Sequence, residues 1–114
     1  MHSERSDSAL TPEHAMAQAA KEAACFLRML GNEQRLHVLC LLLEHGEMSV
    51  NQILARISLS QSALSQHLAR MRDEALVATR RESQMIHYRI ADPKIQHIIE
   101  LLKSMYCQSP ATIE

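Results

Sequence analysis

The chain has 114 residues, 46% of them hydrophobic, and a formal net charge of −1. That length suits one domain, because halves would have cores too small to be stable alone, and the apolar fraction excludes a disordered polymer. With two Gly, three Pro and 3% aromatics, punctuation is too sparse for a many-stranded sheet, which favours helices with short connections around an aliphatic core.

Residues 1–10 read as a flexible tail. Thr11-Pro12-Glu13 then reads as a helix start, with Thr11 as N-cap and Pro12 where its missing N–H costs nothing. Met16, Ala19, Ala20, Ala23, Phe26, Leu27 and Leu30 recur at spacings of three and four, and Gly31 is placed for a left-handed C-cap. Asn32 can cap a second helix, with Leu36, Leu39, Cys40 and Leu43 as its stripe and Gly46 as its end. Next, Ser49 and Gln52 stand as a capping box and Met48 with Ile53 as a hydrophobic staple, which predicts a short helix to about Arg56 or Ile57. Leu59-Ser60-Gln61-Ser62-Ala63-Leu64 opens another helix the same way, with Ser60 as N-cap and Leu59 against Leu64. Two helices across a tight turn form a helix-turn-helix.

From Leu76 the period changes to two. Leu76–Arg81 and Met85–Ile90 flank Glu82-Ser83-Gln84, a β-hairpin with a polar tip. Asp92-Pro93 begins a last helix, with Ile95, Ile98, Ile99, Leu102 and Tyr106 on one side. The expected fold is mainly α with a β-hairpin wing. It is a winged helix-turn-helix over 11–107, between tails at 1–10 and 108–114. The extra N- and C-terminal helices carry more apolar surface than so small a fold uses internally. A homodimer interface is the expected cover.

No apolar run approaches the roughly 20 residues of a membrane span, and the first fifteen residues lack the apolar core of a signal peptide. A cytoplasmic protein with no membrane partner is expected. Charge is unevenly spread: between Arg56 and Arg89 six Arg face three acids, a balance of +3, and the remainder carries −4. A phosphate-facing surface or a solvated face could each produce that asymmetry. The three cysteines, Cys25, Cys40 and Cys107, are too few for a secreted disulfide framework and contain no C-x-x-C. No nucleophile with an adjacent base, carboxylate pair or phosphate loop emerges, so the chain is not expected to be an enzyme or to need a cofactor.

With Leu64, Leu68 and Met71 turned to the core, Gln61, Ser62, Ser65 and Gln66 lie on the outer face of the second motif helix. Short polar side chains let a helix sink into the major groove, where Gln can pair bidentately with adenine. Arg70, one turn on, suits phosphate. A solvated helix face remains the alternative. The hairpin end supplies Arg80, Arg81 and Gln84 for the backbone or minor groove, or else forms a soluble loop. His67 and His87 could reach phosphate or serve structure. Cys40, on an apolar stripe, reads by itself as a small core residue, and Cys25 reads as packing. Cys107, at a helix end, should be more accessible.

The segments RLHVLCLLLEHGEMSVNQI, LSQSALSQHLARMRDEALV, TRRESQMIHYRI and LLKSMYCQ together resemble the ArsR/SmtB family of bacterial repressors, over about residues 16–107. The resemblance implies dimeric winged-helix proteins that bind double-stranded operator DNA as an imperfect palindrome and leave it when an inducer binds. The family's arsenic and cadmium sensors carry Cys-x-Cys beside the first motif helix, where Ser49–Ile53 has no Cys. Its zinc sensors carry Asp-x-His at the start of the last helix, where this chain has Asp92-Pro93-Lys94, with only Tyr106 and Cys107 near that helix's end. No metal site is therefore assigned. What remains resembles the thiol-based subgroup, of the biofilm-growth-associated-repressor and haemolysin-activator type. Its cysteines in the second and last helices match Cys40 and Cys107. The resemblance implies that reactive sulfur or oxidants link these two, directly or through extra sulfur atoms. A metal-responsive repressor with a non-standard His/Cys site is the alternative, and an interaction module that does not bind DNA is a third reading.

Overall fold

Residues 11–107 are described by the computed structural model; the tails expected at 1–10 and 108–114 lie outside the described residues. By its internal contacts the chain divides into two units, Met1–Asn32 and Glu33–Glu114.

The first unit holds helix α1 (Pro12–Leu30), opened by Thr11, whose hydroxyl accepts from the His14 N–H at 3.2 Å. Its apolar stripe is largely bare, with Met16 73% and Leu27 52% exposed. Gly31 does end the helix, but not as a left-handed cap: its φ is −79° and its N–H bonds the Arg28 carbonyl. The tighter three-residue closure needs no positive φ. Glycine fits for another reason, since a Cβ there would sit 3.3 Å from the Leu27 carbonyl oxygen.

The second unit is the winged helix-turn-helix. Helix α2 (Glu33–His45) buries Val38, Leu39 and Leu42 to 1% exposure or less. The stripe expected from Leu36, Leu39, Cys40 and Leu43 is therefore misphased: Leu39 is in the core, but Leu36, Cys40 and Leu43 are half-buried on its flank. The run LCLLL is apolar on every side, so its periodicity carries no phase. Gly46, with φ 85°, ends α2 as expected.

A two-residue strand β1 (Met48–Ser49) leads directly into α3 (Val50–Leu54). The capping box forms in full: Gln52 N–H donates to Ser49 Oγ at 3.2 Å and Ser49 N–H to Gln52 Oε1 at 2.9 Å. The helix stops at Leu54, short of the expected Arg56 or Ile57, and the bonds Ala55 N–H to Asn51 O and Arg56 N–H to Ile53 O continue it as a tightening turn. Met48 and Ile53 are both buried, as a staple requires.

Helix α4 (Gln61–Asp73) begins at Ser60, whose Oγ accepts from Ala63 N–H at 3.1 Å. Its far end is a Schellman turn: Leu76 N–H reaches Met71 O at 2.9 Å and Ala75 N–H reaches Arg72 O at 3.0 Å. Ala75 occupies the left-handed position, at φ 62°, where glycine is usual. The hairpin of β2 (Val77–Glu82) and β3 (Met85–Ile90) follows at once, closed by Ser83-Gln84 with Ser83 at φ 57°. Glu82 pairs with Met85 inside the ladder, so the tip is two residues rather than the expected three. β3 also pairs with β1, Met48 opposite Tyr88 and Ser49 opposite His87, giving the antiparallel order β1-β3-β2. Helix α5 (Pro93–Tyr106) is capped by Asp92, which accepts from Lys94 N–H at 2.9 Å; it buries Ile95 and Ile99 and packs on α2.

A left-handed alanine costs about 1–2 kcal/mol relative to its ordinary conformation, and glycine removes that cost while adding some unfolded-chain entropy. Ala75→Gly is therefore expected to raise stability by about 0.5–1 kcal/mol, measured as a shift in the urea midpoint with an unchanged m-value.

Candidate nucleic-acid interface and thiol pair

Burial of one face decides what α4 presents. Leu64, Leu68 and Met71 have no exposed surface, so the helix cannot roll without exposing them. Gln61, Ser62, Ser65, Gln66 and Arg70 are consequently exposed, and His67 is half-buried beside them. Ala63, Gln66, His67 and Arg70 rim a shallow polar hollow of about 150 Å³ on that face. Arg70 and Arg72 occupy the last turn, where cations meet the negative end of the helix dipole. The structure thus brings together on one surface the five residues assigned to base edges and backbone, with His67 at its margin.

At the hairpin, Arg81 and Gln84 are exposed near the turn. Arg80 lies further back, opposite His87, and is engaged within the protein. Its Nη2 is 2.8 Å and its Nε 3.2 Å from Glu47 Oε1, and its Nη1 is 3.2 Å from Glu82 Oε1. Those bonds hold the Glu47 carboxyl below its ordinary range and raise the Arg80 guanidinium further. His87, mostly covered, sits 3.6 Å from Glu82. Glu47 did not stand out in the sequence because its partner lies 33 positions away. A second tie missed from sequence joins Arg35 of α2 to Glu74 at the end of α4, at 2.8 Å and partly buried.

Cys40 and Cys107 come together. Both line one cleft of about 240 Å³ between α2 and α5, with Leu36, Ile99, Leu102, Lys103 and Tyr106. Cys40 is half-buried and Cys107 exposed. Burial pushes the Cys40 thiol up, and negative charge on the nearby Cys107 pushes it further, against the Lys103 ammonium. Lys103 is itself 3.6 Å from Glu44. Cys25, read as packing, is instead exposed on α1, on the side of the helix away from the Met16–Leu27 stripe. Among the described residues, no group of three or more His, Cys, Asp or Glu is placed to hold a metal ion. No helix among them is long and apolar enough to cross a membrane.

A capped and rigidly rolled helix with short polar side chains outward, a preceding short helix and a three-stranded wing define a winged helix-turn-helix regulator of the DNA-binding class. Residues 32–79 match the model of the bacterial regulatory proteins of the arsR family. Over 94 residues the chain is 44% identical to the transcriptional activator HlyU of Vibrio cholerae serotype O1, covering 82% of this chain and 86% of that protein. It is 38% identical over 96 residues to the biofilm growth-associated repressor of Agrobacterium fabrum, covering 84% and 81%. The solved structure of reduced HlyU from Vibrio cholerae N16961 superposes with a TM-score of 0.76 over 82% of this chain and 98% of that one, at 44% identity. The chain belongs to the ArsR family; it is a DNA-binding transcriptional regulator, and the family is not enzymatic.

A carboxylate depressed in the folded state contributes stability above its unfolded value, here 4.5, and loses it as pH falls through the lower folded value. Glu47→Gln is therefore expected to flatten the decline in melting temperature below pH 4.5, measured by thermal scans from about pH 2.5 to about pH 7.

Proposed function

We propose that the protein is a dimeric repressor that holds an imperfectly palindromic operator and releases it when Cys40 and Cys107 become linked. The observation that carries the switch is that both thiols line one cleft between α2 and α5. Exposed Cys107 reacts first with reactive sulfur or another two-electron oxidant. Cys40, kept as a thiol by burial, then resolves the modified sulfur and closes a disulfide or a polysulfide link. That link ties the end of α5 to α2.

On the DNA side, Gln61, Ser62, Ser65 and Gln66 address base edges, and Arg70 and His67 the phosphates. Arg81 and Gln84 supply the wing contacts. Arg80 joins them at the flank, where phosphate competes with Glu47 and Glu82 for the same guanidinium. Met16 and Leu27 on α1, and Leu101 and Met105 on α5, are each more than half exposed; a twofold partner covering them accounts for so much bare apolar surface. Two copies of α4 then enter successive major grooves about 34–36 Å apart. The A. fabrum relative is named a repressor and the V. cholerae relative an activator, and the release step is the same whichever sign a promoter gives it.

The test is binding to the promoter of the protein's own gene before and after oxidant, with intact-mass analysis of the same samples. Gln66→Ala should weaken specific binding by about 1–3 kcal/mol, and Arg70→Ala should reduce the salt slope by about 1. Oxidant should release wild-type protein as the mass registers the link, and neither Cys40→Ser nor Cys107→Ser should respond. Equal release from both serine variants overturns the switch. Absence of salt-dependent, sequence-specific binding overturns the operator reading.

A further inference from the structure

The cleft that holds the two thiols has walls that a thiol switch does not itself require. Leu36 from α2 and Ile99, Leu102 and Tyr106 from α5 line it, and Lys103, the charged residue among the described lining, is drawn toward Glu44 at 3.6 Å. Its volume, about 240 Å³, is far more than a hydrogen peroxide molecule fills, at roughly 30 Å³ for each water-sized unit, and leaves room for an apolar side group. A small hydrated oxidant gains little from aliphatic walls, because it must shed water there and most of the lining offers no hydrogen bond in return. A reagent whose reactive end carries an apolar group gains about fourfold in occupancy for each methylene fully removed from water.

We propose that this cleft is a recognition site for an apolar-substituted thiol oxidant of the form R–X–XH, with X oxygen or sulfur. The R group lies against Leu36, Leu102 and Tyr106 and so delivers the reactive end to Cys107. This rests on the thiol-switch reading and names the reagent class it selects. With an organic hydroperoxide, the Cys107 thiolate takes the terminal oxygen, the O–O bond breaks, and protonation of the alkoxide releases ROH. Cys40 then attacks the sulfenic sulfur, forming the disulfide and releasing water. With an organic persulfide, the Cys107 thiolate takes the terminal sulfur and RSH departs. Cys40 then attacks the Cys107 sulfur, and hydrogen sulfide leaves as the disulfide forms. In both cases the reagent is the oxidant, and two thiols lose two electrons.

The experiment measures rates of Cys107 modification and of link formation on the full chain by intact mass and peptide mapping. Cumene hydroperoxide is compared with hydrogen peroxide, and an aryl or hexyl persulfide with inorganic hydrogen persulfide, each pair normalised to its rates with glutathione. The expected result is that the apolar member of at least one pair is favoured about tenfold or more over the glutathione ratio, and which pair responds identifies X. Tyr106→Ser, at a position 76% exposed and so tolerant of change, should cut that preference severalfold, read as the ratio of rates within each pair. Ratios equal to those of glutathione in both pairs overturn the proposal, and so does a second copy of the chain covering the cleft, which gives that same outcome. If no reagent links Cys40 to Cys107, the switch itself fails; if all link them at glutathione-like ratios, only the selectivity does.

Discussion

The burial of Leu64, Leu68 and Met71 is the constraint on which the rest of the architecture depends. Three side chains at helical spacing, all without exposed surface, set the roll of α4, and the Ser60 cap and Schellman turn set its two ends. Each such side chain stabilises the fold by about 1.5–3 kcal/mol when fully buried, so rolling the helix outward would forfeit several kcal/mol. The polar face is therefore presented by default. Its short side chains are free to differ between proteins of this fold because the core does not use them.

The thiol pair shows the opposite economy. Neither cysteine contributes to that core; Cys40 stands on the flank of α2 and Cys107 just beyond the end of α5. α2 packs on α5 and is ion-paired through Arg35 to Glu74 at the end of α4. A change at the α2–α5 cleft consequently acts on a helix that is also tied to the end of α4 by the Arg35–Glu74 pair.

Much of this was legible in the residues. Ser49 with Gln52, and Ser60 before an apolar run, are local signals that depend on a few neighbouring side chains, and both caps form. The alternation from Met85 to Ile90 is local too. What was not legible depends on distance or on patternless runs. β1 has two residues, too few for alternation to register, and exists through its pairing with Tyr88 and His87. LCLLL gave α2 the wrong phase because every face is apolar. Gly31 suggested a left-handed turn that Ala75 makes instead, since tertiary packing of Leu76 outweighs alanine's preference. The shared cleft of Cys40 and Cys107, and the tie from Glu47 to Arg80, join residues far apart in the chain. For the cysteines, family resemblance rather than spacing pointed to the pair.

Ala75 has one more consequence. Leu76 is bonded through its N–H to Met71 in the helix and through its carbonyl to the Ala91 N–H beside the sheet, so recognition helix and wing meet at a joint with no slack. In the language of multivalent binding, the second contact is held at a high effective concentration by a connector that carries almost no chain entropy of its own. On the proposed operator, the two elements would act as one ligand rather than as two tethered ones, and a site that suits the helix but offends the wing would be rejected as a whole.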